Sequence, residues 1–143
     1  MALSVDCKTP AILPGRLVVD GMSIGRSVDS FRIDPVGGKW MMVIRSRDFT
    51  ATRAWGAMDI AKIDGTTVRL HWTDQPYQWH VNQGDEVFVV LDGTVEMHYR
   101  DSGGEQVAVL EAGDIFFAGV GCEHVAHPRG EARILVVERE GSV

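Results

Sequence analysis

Three polar residues whose side chains could bind a metal ion lie close together near the middle of the chain. His80, Asn82 and Glu86 occur within the stretch WHVNQGDEVFVVLDG. If residues 79–82 form a strand, side-chain alternation places His80 and Asn82 on one face. A turn over residues 83–85 would then let Glu86 open the next strand. Imidazole and carboxylate groups bind divalent iron, manganese, nickel and zinc well. The spacing therefore predicts part of a metal site, which one ligand from a distant strand would complete.

The elements that would position these residues are β-strands. From about residue 40 onward, segments rich in Val, Ile, Thr and aromatic residues are separated by turn signals such as Asp64-Gly65 and Gly113-Asp114. Only residues 47–57 offer a weak helical pattern. Many short, regularly spaced strands indicate an all-β sandwich or barrel. The predicted strands are residues 58–63, 66–73, 79–82, 86–91, 94–100, 106–110, 115–118, 124–127 and 133–138.

Asp92-Gly93 predicts a tight hairpin, because a two-residue type I′ turn needs positive φ at both central residues. The predicted cross-strand pairs are Val90 with Val95, Phe88 with Met97, and Glu86 with Tyr99. Their shared face is apolar with one carboxylate at its end, which indicates a barrel interior with a functional group near its mouth. The opposite face carries Val87, Val89 and Leu91, and an apolar outer face predicts cover by other strands or a second subunit.

Two motifs make the chain resemble the cupins, a family of small β-barrels. For the first family motif, G-x5-H-x-H-x3–4-E-x6-G, the chain supplies Asp74 for the leading glycine, His80, Asn82 for the second histidine, Glu86 and Gly93. For the second, G-x5-P-x-G-x2-H-x3-N, it supplies Gly113, Gly119 for the proline, Gly121, His124 and Pro128 for the asparagine.

The resemblance implies an all-β fold, a cupin jelly-roll barrel of two antiparallel sheets. It also implies a divalent metal cofactor (iron, manganese or zinc) held by His80, Glu86 and His124. Asn82 would be a weak fourth ligand or would orient a bound water. The barrel is expected over residues 41–143, preceded by a loosely ordered extension over residues 1–40. The alternative for that extension is a strand or arm packed on a partner subunit.

The site residues also have structural interpretations. His80 and Glu86 could form a buried ion pair in a metal-free pocket, and Tyr99 is either a catalytic acid/base group or core filling. His71 could line the pocket or lie at the surface. The remaining histidines, His98 and His127, are expected to face away from the site. Trp72, Tyr77 and Trp79 could rim a binding mouth or form a dimer contact, and Cys122 is expected to be a packing residue.

Composition and charge limit which partners and locations are expected for this protein. The chain has 143 residues, a net charge of −6 and no cluster of Lys and Arg, which argues against nucleic acid as a partner. No segment approaches the roughly 20 apolar residues of a membrane helix. Its two cysteines are far apart in sequence, which favours a reducing cytoplasmic location. A homodimer is expected, because small cupins resemble dimers that pack through one sheet.

Three hypotheses about function follow. The first is a metal-dependent enzyme, dioxygenase-like or isomerase-like, that acts on a small organic molecule. The second is a metal-free or non-catalytic cupin that binds a small molecule in the same pocket. The third is a structural oligomer with a relic site. A sugar-epimerase-like activity without metal is less favoured, because the sequence shows no basic cluster for a diphosphate.

Overall fold

A computed structural model of the chain describes residues 17–19, 22–24, 28–33 and 40–142. Within them the only helical element is a 3₁₀ turn at Ser46–Asp48. None of the helical structure in this described part is long and apolar enough to cross a membrane. The strands are β1 (Leu17–Val19), β2 (Met22–Ile24), β3 (Val28–Ile33), β4 (Trp40–Ile44), β5 (Gly56–Ile63), β6 (Thr66–Thr73), β7 (His80–Val81), β8 (Glu86–Asp92), β9 (Thr94–Asp101), β10 (Gly104–Glu111), β11 (Ile115–Ala118), β12 (Glu123–Pro128) and β13 (Ala132–Arg139).

Two antiparallel sheets form the body of the fold. One has the strand order β10-β9-β12-β7, and the other has the order β11-β8-β13-β6-β5. The strand pairs within both sheets are antiparallel. The prediction of an all-β fold built from two antiparallel sheets is confirmed.

The predicted strands agree closely with the observed ones. The segments 66–73 and 115–118 have the predicted bounds, and the other seven differ by one or two residues at an end. The weak helical pattern at residues 47–57 corresponds to one 3₁₀ turn, an irregular segment and the first two residues of β5. Most of the predicted extension, residues 1–40, lies outside the described residues, and the segments described there are short strands.

The predicted hairpin at Asp92-Gly93 is wrong. Strands β8 and β9 belong to different sheets, so the chain crosses between sheets at this point. Gly93 has a φ of 86°, but Asp92 has no positive φ, and its carboxylate contacts Arg133 at 2.8 Å. A Cβ at Gly93 would lie 2.3 Å from the Glu131 carbonyl oxygen, so the crossing requires glycine.

The two-residue turn with positive φ at both positions is instead Asp64-Gly65, at 48° and 78°. It joins β5 to β6, which do pair with each other. The inward-facing residues were nevertheless identified correctly, because alternation along one strand does not depend on its partner. Those that are buried are Glu86, Phe88, Val90, Val95 and Met97.

Two clusters of buried apolar side chains stabilise the sheets. The larger fills the space between them and includes Phe88, Val90, Val95, Met97 and Ile134. The smaller lies on the outer face of the five-stranded sheet, where Phe49 and Ala51 pack on Met58, Leu70 and Trp72. Arg133 anchors this covering loop, because its Nε donates to the Phe49 carbonyl oxygen at 2.8 Å.

Candidate metal centre

His80, Glu86 and His124 converge at one end of the space between the sheets. His80 and His124 are direct partners across β7 and β12, so they lie on the same face of the four-stranded sheet. Glu86 approaches from the first position of β8 in the other sheet. One potential ligand atom from each of the three residues lies within 4.8 Å of the other two. Residues that are 44 positions apart in sequence therefore form one compact donor set.

Backbone hydrogen bonds fix the orientation of both imidazole rings. The Nδ1–H of His80 donates to the Gln78 carbonyl oxygen, and that of His124 donates to the Cys122 carbonyl oxygen, each at 3.0 Å. This arrangement leaves Nε2 of each ring as the metal-binding atom, as in many metal sites. The Nε2 of His124 is buried, and the nearest acceptor within the described residues is Glu86 Oε2 at 3.3 Å.

Asn82 holds the carboxylate in place. Its side chain is 3% exposed, and its amide nitrogen donates to Oε2 of Glu86. Its Oδ1 is buried without a hydrogen-bond partner within the described residues. Asn82, which stands where the cupin motif has its second histidine, thus contacts the carboxylate of the site directly.

The charges of the three residues are coupled. Burial alone would raise the pKa of Glu86, but the His124 ring and the Asn82 amide outweigh burial and lower it. Burial likewise acts to lower the pKa of His124, but the Glu86 carboxylate outweighs it and the pKa is raised. The pKa of His80 is lowered, chiefly by burial. An ionised carboxylate and two imidazoles whose Nδ1 atoms are held by backbone carbonyls fit a divalent metal ion.

A cavity of about 260 Å³ adjoins the three residues. His71, whose location the sequence left open, lines it. Sequence analysis missed Arg53, Arg69 and Glu138, which also line it. Glu138 lies directly opposite Glu86 across β13 and β8, a relation that only the strand order reveals. The other lining residues are Trp55, Tyr77, His80, Glu86, Phe88, Met97, His124, Ala126, Val136 and Ser142.

Tyr99 is not placed as the sequence predicted. Its cross-strand partners are His124 and Gln106, not Glu86, because β9 lies between β12 and β10. Its ring contacts Phe116 with centroids 5.7 Å apart, and Tyr99 is not among the residues that line the cavity. Its catalytic role stays a prediction.

The other candidates lie apart from the centre. His98 and His127 stack on each other with ring centroids 4.4 Å apart, and His98 contacts Glu105 at 3.2 Å. Of the three aromatic residues predicted to cluster, only Tyr77 lines the cavity, whereas Arg100 covers Trp79 at 4.2 Å and Trp72 packs in the outer cluster. Burial raises the pKa of the Cys122 thiol, as expected for a packing residue rather than a nucleophile.

Comparisons with known proteins agree with this geometry. The family model described as the cupin domain matches residues 70–138. A cupin-2 domain protein from Shewanella frigidimarina is 27% identical, with a TM-score of 0.57 over 63% of this chain and 85% of that chain. A cupin superfamily protein from Desulfitobacterium hafniense is 16% identical, with a TM-score of 0.57 over 66% of this chain and 85% of that one. Hydroquinone 1,2-dioxygenase from Sphingomonas sp. TTNP3 shares the fold at 16% identity, with a TM-score of 0.56 over 63% and 68% of the two chains. No curated protein matches the chain.

Proposed function

Because this chain carries a cupin-type domain, we propose that it holds a divalent metal ion through His80, Glu86 and His124 and acts on a small organic molecule in the adjoining cavity. The observation that carries this proposal is the convergence of the three donor groups, in which both imidazoles donate through Nδ1 to backbone carbonyls and the buried Nε2 of His124 faces Glu86 Oε2 at 3.3 Å.

The donor set favours iron, manganese or zinc. Two imidazoles and one carboxylate match the facial arrangement of non-haem iron sites, and they also match catalytic zinc sites with an open position. We infer that Asn82 positions the Glu86 carboxylate by its amide nitrogen instead of serving as the fourth ligand. Such a supporting contact contributes about 10–100-fold to metal affinity in other sites.

The reaction that we propose is of the dioxygenase or isomerase type. A bound metal would supply either an oxygen-binding centre or a Lewis acid that polarises a carbonyl group. The protein contributes a site between two sheets, in which apolar residues such as Phe88, Met97 and Val136 surround the ligand and limit its contact with water. The alternative is a cupin that binds the same class of molecule without metal or without catalysis.

Elemental analysis of protein purified without added metal tests the proposal. We expect stoichiometric iron, manganese or zinc in the wild type and almost none in His80→Ala, whose ring is one of the three donors. The matched control is His98→Ala, which removes an imidazole that faces away from the cavity and should keep the metal. A folded wild type that takes up none of these metals when supplied with them would favour the metal-free binder. Oxygen uptake would then separate an oxygenase from an isomerase.

We also propose a homodimer formed through the outer face of the five-stranded sheet. Val89 and Val87 are the direct partners of Ile115 and Phe117 on β11, which are 65% and 61% exposed, and Leu91 follows on the same face of β8. Large exposed apolar side chains grouped on one face indicate an interface. Phe117→Glu is therefore expected to halve the mass measured by sedimentation equilibrium. Val109→Glu, at a position 48% exposed on β10 of the other sheet, should leave the mass unchanged. A wild-type monomer, or equal effects of both variants, would contradict this interface.

A further inference from the structure

The cavity beside the candidate metal centre also contains positive charge that the three donor residues do not use. Arg53 and Arg69 line it, together with the carboxylates of Glu86 and Glu138 and a set of uncharged side chains. We propose that the cavity binds small organic acids, with the carboxylate of the ligand held by Arg53 and Arg69 and its carbon skeleton directed toward the metal centre. This inference rests on the proposed function only in placing the metal centre at the end of the cavity opposite the carboxylate.

Arg69 is held in position but keeps donors available. Its Nε donates to Asp59 at 2.9 Å, and the two residues are direct partners across β6 and β5. No other hydrogen bond of its guanidinium group occurs within the described residues. The remaining nitrogens can therefore bind a carboxylate through a pair of parallel hydrogen bonds. Its charge reaches the cavity, since it adds to burial in lowering the pKa of His71.

Arg53 supplies a second guanidinium group at the same cavity. It is exposed, and in the described part of the chain its side chain makes no hydrogen bond or ion pair. An arginine without a carboxylate partner at the entrance of a cavity attracts anions. Arg53 precedes β5 and Arg69 lies in β6, so the two cations come from separate elements.

His71 provides an independent indication of a ligand. It lies two residues after Arg69 on β6, so both side chains point to the same, inward face of the strand. One ring nitrogen lies close enough to the Trp55 backbone for a weak hydrogen bond, and the other is buried without a partner within the described residues. Burial lowers its pKa to about 4, so the ring is neutral at pH 7 and offers one donor and one acceptor. Buried polar groups in proteins are almost always hydrogen-bonded, so the unpartnered nitrogen indicates a ligand in the cavity.

The size and walls of the cavity define the class of acid. The cavity of about 260 Å³ lies just below the usual range of ligand pockets, about 300–1,000 Å³, so it suits a small ligand. Phe88, Met97, Ala126 and Val136 offer apolar surface to the carbon skeleton. Glu86 and Glu138 also face the cavity, so a dianion such as phosphate is repelled more strongly than a monoanion. A small monocarboxylate with an apolar or aromatic skeleton meets all of these conditions.

Calorimetric titration with matched pairs of ligands tests the inference. The pairs are benzoate with benzamide and hexanoate with hexanamide, which differ chiefly in charge, and inorganic phosphate is titrated separately. We expect at least one carboxylate to bind more tightly than its amide. Arg53→Gln and Arg69→Gln should each weaken that carboxylate by about tenfold, because a charge-assisted hydrogen bond is lost. Neither variant should change amide binding. The control Arg100→Gln removes an arginine that stacks on Trp79 and should have no effect.

Several results would overturn the inference. These are no carboxylate binding, no preference within either pair, unchanged affinity in both arginine variants, an equal loss in Arg100→Gln, or phosphate binding as tight as carboxylate binding. The titrations are made on metal-loaded and on chelator-treated protein, with metal content measured in each sample. Protein that takes up no metal but still prefers carboxylates through Arg53 and Arg69 would refute the metal centre and retain the acid-binding subsite. Protein that holds metal through His80 but shows no preference for carboxylates would support the metal centre and refute the acid-binding subsite.

Discussion

Replacing Glu86 by glutamine is expected to lower the affinity for the metal ion by about 100-fold or more. Loss of a residue that only supports a ligand typically costs 10–100-fold, so loss of the charged ligand itself should reach at least the upper end of that range. Glu86 is 5% exposed and faces both His124 and Asn82, so no water-exposed carboxylate can replace it without rearrangement. Competition with a chelator of known affinity measures the change.

The matched control for this experiment is Glu138→Gln. Glu138 is the direct cross-strand partner of Glu86 and lines the same cavity, but it does not belong to the converging donor set. It should keep metal affinity within a few-fold of the wild type. Circular dichroism confirms that both variants fold. Equal losses in the two variants would show that overall negative charge, and not the position of the Glu86 carboxylate, attracts the metal.

The metal-free protein is expected to lose about 3 kcal/mol of stability on acidification because of His71. Burial lowers the pKa of this residue from 6.5 to about 4, and one pKa unit corresponds to about 1.4 kcal/mol. Between those two pH values the unfolded chain binds a proton that the folded chain excludes. Stability therefore rises with pH in this window: it is fully present above pH 6.5 and is lost progressively as the pH falls toward 4.

Urea unfolding at pH 7.5 and at pH 4.5 measures most of this loss. His71→Phe keeps a planar ring but cannot take up a proton, so its stability should fall by about 2–3 kcal/mol less than that of the wild type over the same interval. His127→Phe replaces a histidine that stacks on His98 away from the cavity, and it should retain the wild-type pH dependence. If His71→Phe loses as much stability on acidification as the wild type, His71 does not control this acid sensitivity.

The sequence by itself determined the positions of strands β5 to β13, the inward-facing residues of β8 and β9, and three donors of the candidate site. These properties are local: alternation along β8 puts Glu86 and Phe88 on the same face whatever strand lies beside them. His80, Glu86 and His124 also stand at positions of the two family motifs, so their convergence could be expected before the structure was known. The sequence did not determine the strand partners. Asp92-Gly93 has the composition of a tight turn, and yet it connects strands of two different sheets.

Only the tertiary structure decided which face of β6 looks into the cavity. Leu70 and Trp72 alternate with Arg69 and His71, and alternation alone would place the apolar pair inside and the polar pair in water. The opposite is found, because the loop that contains Phe49 covers the apolar pair on the outer face. The polar pair is then left to line the cavity. Apolar side chains can be buried on either face of a sheet. The sequence of β6 alone therefore could not indicate which face a distant loop would cover and which face would line the cavity.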